Sequence, residues 1–231
     1  MHSYMKSKFI LFLFAILPIM MYAERVVPDS SLVVALDARV GNSSVKDIYG
    51  TIGLRGDYSM PRYFMMRAGI QYNTINRISA EVRPAFFHDF ACGRLHGEIL
   101  IHYNYHHSFD NLCAGVGVGF TMDYFWVQLG YYYRSIIGSD NIITEPYNLY
   151  YEVGVNCLPQ VQAWDLMVYV SNSTLNDLER VYQPALYVDA LWYPSTSWGI
   201  MLGAAYMPSG IFNISTDYYQ SFINVGVRYR W

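Results

Sequence analysis

The sequence predicts an all-β chain, a closed antiparallel up-and-down transmembrane β-barrel of about twelve strands (within a range of 10–14). Three observations carry this. Apolar and polar residues alternate with period two through most of the chain, and a helical period does not fit those windows. Charged residues make up only 14% while aromatics reach 17%, with 23 Tyr, a balance that suits surfaces part apolar and part wet better than a soluble core. Large aromatics also gather at the two ends of the segments, and small or aliphatic residues fill their middles.

The first segment is not a strand. Lys6 and Lys8 precede the apolar run Phe9–Met21, which ends on Met21-Tyr22-Ala23. A positive start, a short apolar run broken by Pro18 and a small residue read as a secretory signal peptide, residues 1–23, cleaved after Ala23. The run is short for a spanning helix, and no other stretch is long and apolar enough to be one. The barrel domain is therefore expected over 24–231.

The strands follow in order. Segment 31–41 puts Asp37 and Arg39 on the polar face, and 47–58 puts Arg55 there with Tyr58 on the apolar one. In 62–73, Phe64, Met66, Ala68, Ile70 and Tyr72 alternate with Met65, Arg67, Gly69 and Gln71. Segment 77–87 turns Arg77, Glu81 and Arg83 inward. Its Pro84 cannot donate a ladder bond and is expected where the strand meets its turn, at a bulge. Segment 93–106 turns His96, Glu98, His102 and His106 inward, and 111–121 turns Gly115, Gly117 and Gly119 inward, leaving room for a neighbour such as Tyr132. In 124–136, Phe125, Val127, Leu129, Tyr131 and Tyr133 alternate with Trp126, Gln128, Gly130, Tyr132 and Arg134. Segments 147–157, 163–172, 184–193 and 198–207 follow, with Glu152 and Asp189 inward and Trp192 and Trp198 outward. The last, 217–231, ends "NVGVRYRW", with Arg228 and Arg230 on the polar face.

Connectors near Met60-Pro61, Met122-Asp123 and 194–197 are short, and those over 137–146, 172–183 and 208–217 are longer. An even strand count with short turns on the terminal side and longer loops opposite is the pattern of a bacterial outer-membrane barrel. Tyr72, Tyr103, Tyr105, Tyr133, Tyr151 and Tyr206 fall at outer ends. Tyr58, Phe64, Phe86, Phe120, Phe125, Trp192, Trp198 and Trp231 fall at inner ends. In hydrocarbon every backbone group needs a partner, so an open edge is not tolerated and closure is expected.

The chain end resembles the β-signal of Gram-negative outer-membrane β-barrel proteins, which runs polar, any, Gly, any, any, hydrophobic, any, aromatic. Asn224, Gly226, Tyr229 and Trp231 fill those places, Trp being less common there than Phe. With the leader and the alternating segments, the likeness covers nearly the whole chain, and no subfamily is matched. It implies export, insertion by the barrel-assembly machinery, an outer-membrane location and contact with outer-membrane lipids.

The expected lumen lining is Asp37, Arg39, Arg55, Arg67, Glu81, Arg83, His96, Glu98, His102, Arg134, Glu152, Asp189, Arg228 and Arg230. Both signs are interspersed, and pairing around the loops sets Asp37 opposite Arg55 and Arg83 opposite Glu98, favourable across strands. Such a face reads either as a salt-bridge network that fills the barrel or as a charged constriction that selects small polar solutes. About twelve strands is wider than barrels that side chains fill and narrower than large porins.

Other chemistry is thinly represented. His96 and His102 are three same-face steps apart, too far for one metal, and His106 and His107 point to opposite sides. No metal, cofactor or catalytic set is expected. A lipid hydrolase would need a Ser–His pair on the lipid face, where only His88 stands, without a Ser partner. Cys92, Cys113 and Cys157 are too far apart for a disulfide and read as small fillers. The net charge of −3 points to no nucleic acid. The functional expectation is a monomeric narrow channel for small solutes. A plugged structural or surface-interaction barrel is the alternative, and a lipid-modifying enzyme comes third.

Overall fold

A computed structural model of the protein describes residues 31–43, 48–60, 63–74, 77–106, 109–138, 142–159, 161, 163–172, 184–208 and 220–231. The leader and most of the longer loops lie outside the described residues, as do His107 and the side chain of His106. Among the described residues, period two is realised as twelve strands. They are β1 (Ser31–Ser43), β2 (Tyr49–Met60), β3 (Phe64–Asn73), β4 (Arg77–Phe90), β5 (Gly93–His106) and β6 (Phe109–Thr121). The rest are β7 (Phe125–Gly138), β8 (Ile142–Asn156), β9 (Trp164–Ser171), β10 (Ala185–Trp192), β11 (Trp198–Met207) and β12 (Gln220–Arg230). Each pairs antiparallel with its sequence neighbours, and β1 pairs with β12, so the sheet is a closed barrel.

Closure is made by the two ends of the barrel sequence. β1 and β12 pair from Val33↔Arg230 to Ser43↔Gln220. The Trp231 amide donates to the Leu32 carbonyl at 3.0 Å, and the Arg230 amide to the Ser197 carbonyl at 2.8 Å. The last residues thus tie β12 to both its neighbours. Around the same rim Trp198 meets Tyr229 at 4.8 Å and Tyr229 meets Trp231 at 4.4 Å, both edge to face, and Trp164 stacks on Trp192 at 5.9 Å. The outer surface between the rims is apolar and exposed: Leu36, Val40, Ile52, Ile70, Val116, Leu129, Leu202, Ile223 and Val225 all point away from the lumen.

The observed strands differ from expectation in four places. Asp37 faces Gly53 and Arg55 faces Ala35, a shift of two residues, because the β1–β2 hairpin is centred one residue earlier than an Asp37–Arg55 pairing requires. Glu98 faces Ala85, not Arg83. The hairpin is centred on Ala91-Cys92, where Phe90 pairs with Gly93, one residue later than expected. Gly93 has φ +155, and a Cβ there would lie 2.6 Å from the Thr121 carbonyl oxygen, so this turn requires glycine.

Pro84 lies inside β4, opposite Met66, and not at the turn. The β4–β5 ladder skips Arg83 and Pro84 and resumes in the same register, so the missing N–H is absorbed without a bulge. The register shift of the barrel is on β8 instead: Tyr132 faces Asn148 and Arg134 faces Glu145, so β8 carries one extra residue around Pro146. Consequently β8 starts at Ile142, and most of the expected loop over 137–146 is strand.

One seam is short. β8 and β9 pair only over Glu152–Asn156 and Met167–Ser171. Asn172 extends the seam with its side chain: its Oδ1 accepts from the Tyr151 amide at 2.7 Å, and its Nδ2 donates to the Leu149 carbonyl at 3.0 Å. A buried side-chain amide thereby serves as one more peptide unit.

Candidate functional site

The lumen is lined by two walls of different chemistry. On β1, β2 and β4 charges pair along the strand, because residues i and i+2 share a face about 6.6–7 Å apart, within reach of an Arg side chain. Arg39 Nε meets Asp37 at 3.1 Å, Arg55 Nε meets Asp57 at 3.3 Å, and Arg83 Nη2 meets Glu81 at 3.3 Å. Asp57 also takes Arg67 Nε from β3 at 2.8 Å, a cross-strand contact that joins two guanidiniums through one carboxylate. The Arg39 guanidinium lies 5.3 Å from the Phe222 ring centre on β12.

On β5–β10 the carboxylates take neutral donors instead. Glu98 accepts from the Tyr150 hydroxyl at 2.7 Å and from the Gln128 amide. Glu152 accepts from the Trp126 indole at 2.8 Å, and Asp189 from the Tyr169 hydroxyl at 2.9 Å. Tyr169 stacks on Tyr187 at 4.6 Å and tilts against Trp126 at 5.8 Å. Leu100, Cys113, Tyr132 and Tyr150 form a buried cluster. This half of the interior is filled.

Glycines make that filling possible. A Cβ at Gly117 would fall on the Tyr150 hydroxyl, and one at Gly130 on the Tyr150 ring. Tyr150 therefore lies flat across β7 and β6 to reach Glu98 on β5. Gly115 leaves room for Tyr132 and Gly119 for His96. The three inward glycines of β6 thus serve three different rings, of which the expected Tyr132 is one.

The remaining expected lining residues are placed as follows. Arg134 is buried and donates to Asn111 Oδ1 at 3.2 Å. Arg228 reaches Tyr193, with Nη1 3.4 Å from its hydroxyl and the guanidinium 5.8 Å from its ring centre. That hydroxyl donates to Asp165 at 3.1 Å. Burial pushes the Tyr193 phenol above its ordinary value, and Asp165 raises it further against the opposing Arg228. Arg230 is half-buried opposite Val33 near the terminal rim. His96 is half-buried, whereas His102 is fully buried with neither ring nitrogen hydrogen-bonded. No group of three or more His, Cys, Asp or Glu able to hold a metal occurs among the described residues.

Between the walls, on the β1–β5 side, lies a cavity of about 60 Å³ bordered by Asp37, Arg39, Arg55, Gln71, Glu81 and His102, among others. Residues that the alternation alone did not single out are Asp57, Asp165, Tyr150 and Tyr169. Asp57 shares parity with Arg55 and could have been found; the tyrosines could not, since Tyr occurs on both faces. None of the three cysteines forms a disulfide. Cys92 is exposed in the β4–β5 turn, so it is no filler, because the turn projects it past the barrel rim. Cys113 is buried in the lumen. Burial pushes the half-buried Cys157 thiol up.

Comparison with known proteins agrees on the fold. The KdgM porin, solved in complex with disordered oligogalacturonate, superposes with a TM-score of 0.54 at 12% identity, covering 84% of this chain and 98% of that one. The NanC porin superposes with a TM-score of 0.54 at 11% identity, again over 84% and 98%. These likenesses show a shared closed antiparallel barrel. No family model matches the chain, and no curated protein does.

The asymmetry of the lumen matters chemically. The β5–β10 side is packed with rings that hold carboxylates, whereas the β1–β4 side keeps hydrogen-bonding groups around open space. Any solute that enters would meet the second wall.

Proposed function

We propose that the chain is an exported, monomeric integral barrel of the outer membrane and that it acts as a narrow porin-like channel for small polar solutes. The observation that supports it most is the radial split of side chains: an apolar exterior with aromatic rims encloses a lumen that carries guanidiniums, carboxylates and a cavity. Such an exterior in water would be an extended sticky surface, and in a bilayer it is solvated. A closed ladder leaves no strand edge in hydrocarbon. The C-terminal residues Asn224, Gly226, Tyr229 and Trp231 supply the assembly signal by resemblance.

Reconstitution of the purified barrel into planar bilayers tests the channel. Discrete conductance steps are expected, and Arg67→Ala, which frees Asp57 from one of its two guanidiniums, should shift preference towards cations. Absence of current at any voltage would refute passage. A plugged barrel is the second reading, favoured by Tyr132, Tyr150 and Leu100, each about 1% exposed inside the lumen.

A further inference from the structure

We propose that the cavity on the β1–β5 wall is a binding subsite for a small neutral polyol of about glycerol size, with His102 as the central donor and acceptor. The proposal rests on the reading that polar solutes reach the lumen.

Size comes first. A water needs about 10–15 Å³ of such space, so the cavity, about 60 Å³, holds about four to six waters, roughly what a three-carbon polyol displaces. Charge comes second. Two carboxylates, Asp37 and Glu81, and two guanidiniums, Arg39 and Arg55, border it, so the lining sums to zero. Both carboxylates already hold a guanidinium of their own strand, Asp37 that of Arg39 and Glu81 that of Arg83. A net-charged solute would unbalance this set in a confined space. A hydroxyl can use the lone pairs and N–H groups the ion pairs leave over.

Lining chemistry comes third. Gln71 and Ser79 add neutral hydrogen-bonding groups, no Phe, Tyr or Trp borders the space, and the side chain of Leu54 points to the outer face. The occupant should therefore offer hydroxyls on every side. His102 is the deciding residue. Its side chain is 0% exposed, it borders the cavity, and neither Nδ1 nor Nε2 has a partner. A neutral imidazole carries one donor and one acceptor, as does a hydroxyl. Leaving both unmet in a buried site is costly, and a hydroxyl that reaches either one lowers that cost. Finally, Gly53 and Gly69 keep the space open: a Cβ at Gly53 would stand 2.8 Å from Asp37 Oδ1, while at Gly69 the nearest atom is Glu81 Cγ at 3.6 Å.

The test uses the purified full barrel in detergent, radiolabelled glycerol in equilibrium dialysis, and NMR of isotope-labelled histidine. Saturable glycerol binding is expected, with a shift of the imidazole signals that His102→Leu deletes. Glycerate and aminopropanediol, the anionic and cationic analogues, should bind at least about tenfold more weakly, as should glycerol to His102→Leu. Gly69→Val fills the space without removing a polar group and should abolish binding. Heat-modifiable gel migration confirms that each variant is folded. No glycerol binding by the folded wild type, equal or tighter binding of either charged analogue, or unchanged binding by Gly69→Val overturns the proposal. Conductance is scored separately. A barrel that conducts and binds no glycerol loses the subsite and keeps the channel; one that binds and does not conduct keeps the subsite and loses the channel.

Discussion

Tyr150 is the side chain on which the filled half of the lumen turns, and a double-mutant cycle with Gly117 measures its fit. In Tyr150→Phe the hydroxyl that donates to Glu98 at 2.7 Å is lost, leaving the buried carboxylate with the Gln128 amide. A hydrogen bond to a charged group contributes about 1.5–3 kcal/mol, so the single change should cost about that. Gly117→Ala places a methyl on the same hydroxyl, with the ring carbon Cζ at 2.9 Å and the Leu129 carbonyl oxygen at 3.1 Å. Overpacking of this kind costs about 1–3 kcal/mol, less the roughly 0.5–1 kcal/mol that Ala recovers over Gly in a strand. Once the hydroxyl is gone, the methyl meets only the ring carbon and the carbonyl. The double variant should therefore be less destabilised than the sum of the singles by about 1 kcal/mol. Gly69→Ala is the inward control, since its nearest atom is at 3.6 Å, and should be neutral or slightly stabilising. Denaturant unfolding in lipid vesicles, followed by tryptophan fluorescence, reads all five proteins, the wild type included. Strict additivity within about 0.3–0.5 kcal/mol would refute the claim that Gly117 exists to seat the Tyr150 hydroxyl.

Three further outcomes are expected. Asn172→Ala removes two hydrogen bonds to β8 and should cost about 1–3 kcal/mol, with faster hydrogen exchange at the Tyr151 amide; unchanged exchange would show that the seam closes without it. Among the thiols, exposed Cys92 should label fast and buried Cys113 only after unfolding. The raised Cys157 thiol should label slowly at neutral pH and gain rate as pH climbs past its ordinary range, since the thiolate reacts; a flat pH profile at Cys157 contradicts the burial. Deletion of Trp231 removes the amide bond to Leu32 and the last ring of the rim, and should lower the heat-modifiable fraction recovered from membranes; full recovery would separate this residue from assembly.

Much of the fold was legible because a barrel strand repeats one physical rule: every second side chain meets a different solvent. The expected windows 62–73, 93–106 and 198–207 agree with the observed strands to within two residues. Where the rule says nothing, the reading slipped. Parity does not locate a turn centre, so the β4–β5 hairpin moved by one residue and every cross-strand partner moved by two. Parity does not foresee a bulge either, and β8 gained its extra residue beside Pro146.

The lumen was legible as a set and not as a network. Glu98 and Tyr150 are on β5 and β8, and their contact depends on two glycines on the strands between, a coincidence of height that no single-strand pattern contains. The pairs on the other wall are different in kind. Asp37-Ala38-Arg39, Arg55-Gly56-Asp57 and Glu81-Val82-Arg83 each place opposite charges two residues apart, on one face of one strand. Such a pair forms whatever the register of its neighbours, so it survives the two-residue errors that defeated the cross-strand assignments. A fully packed interior would gain little from charges that neutralise one another locally, because desolvation of the ions would offset the attraction. Pairs that leave spare lone pairs and N–H groups facing open space suit a wall that stays wet. Their retention along β1, β2 and β4, beside the cavity and opposite the aromatic filling, is the reason to look for a solute on that side.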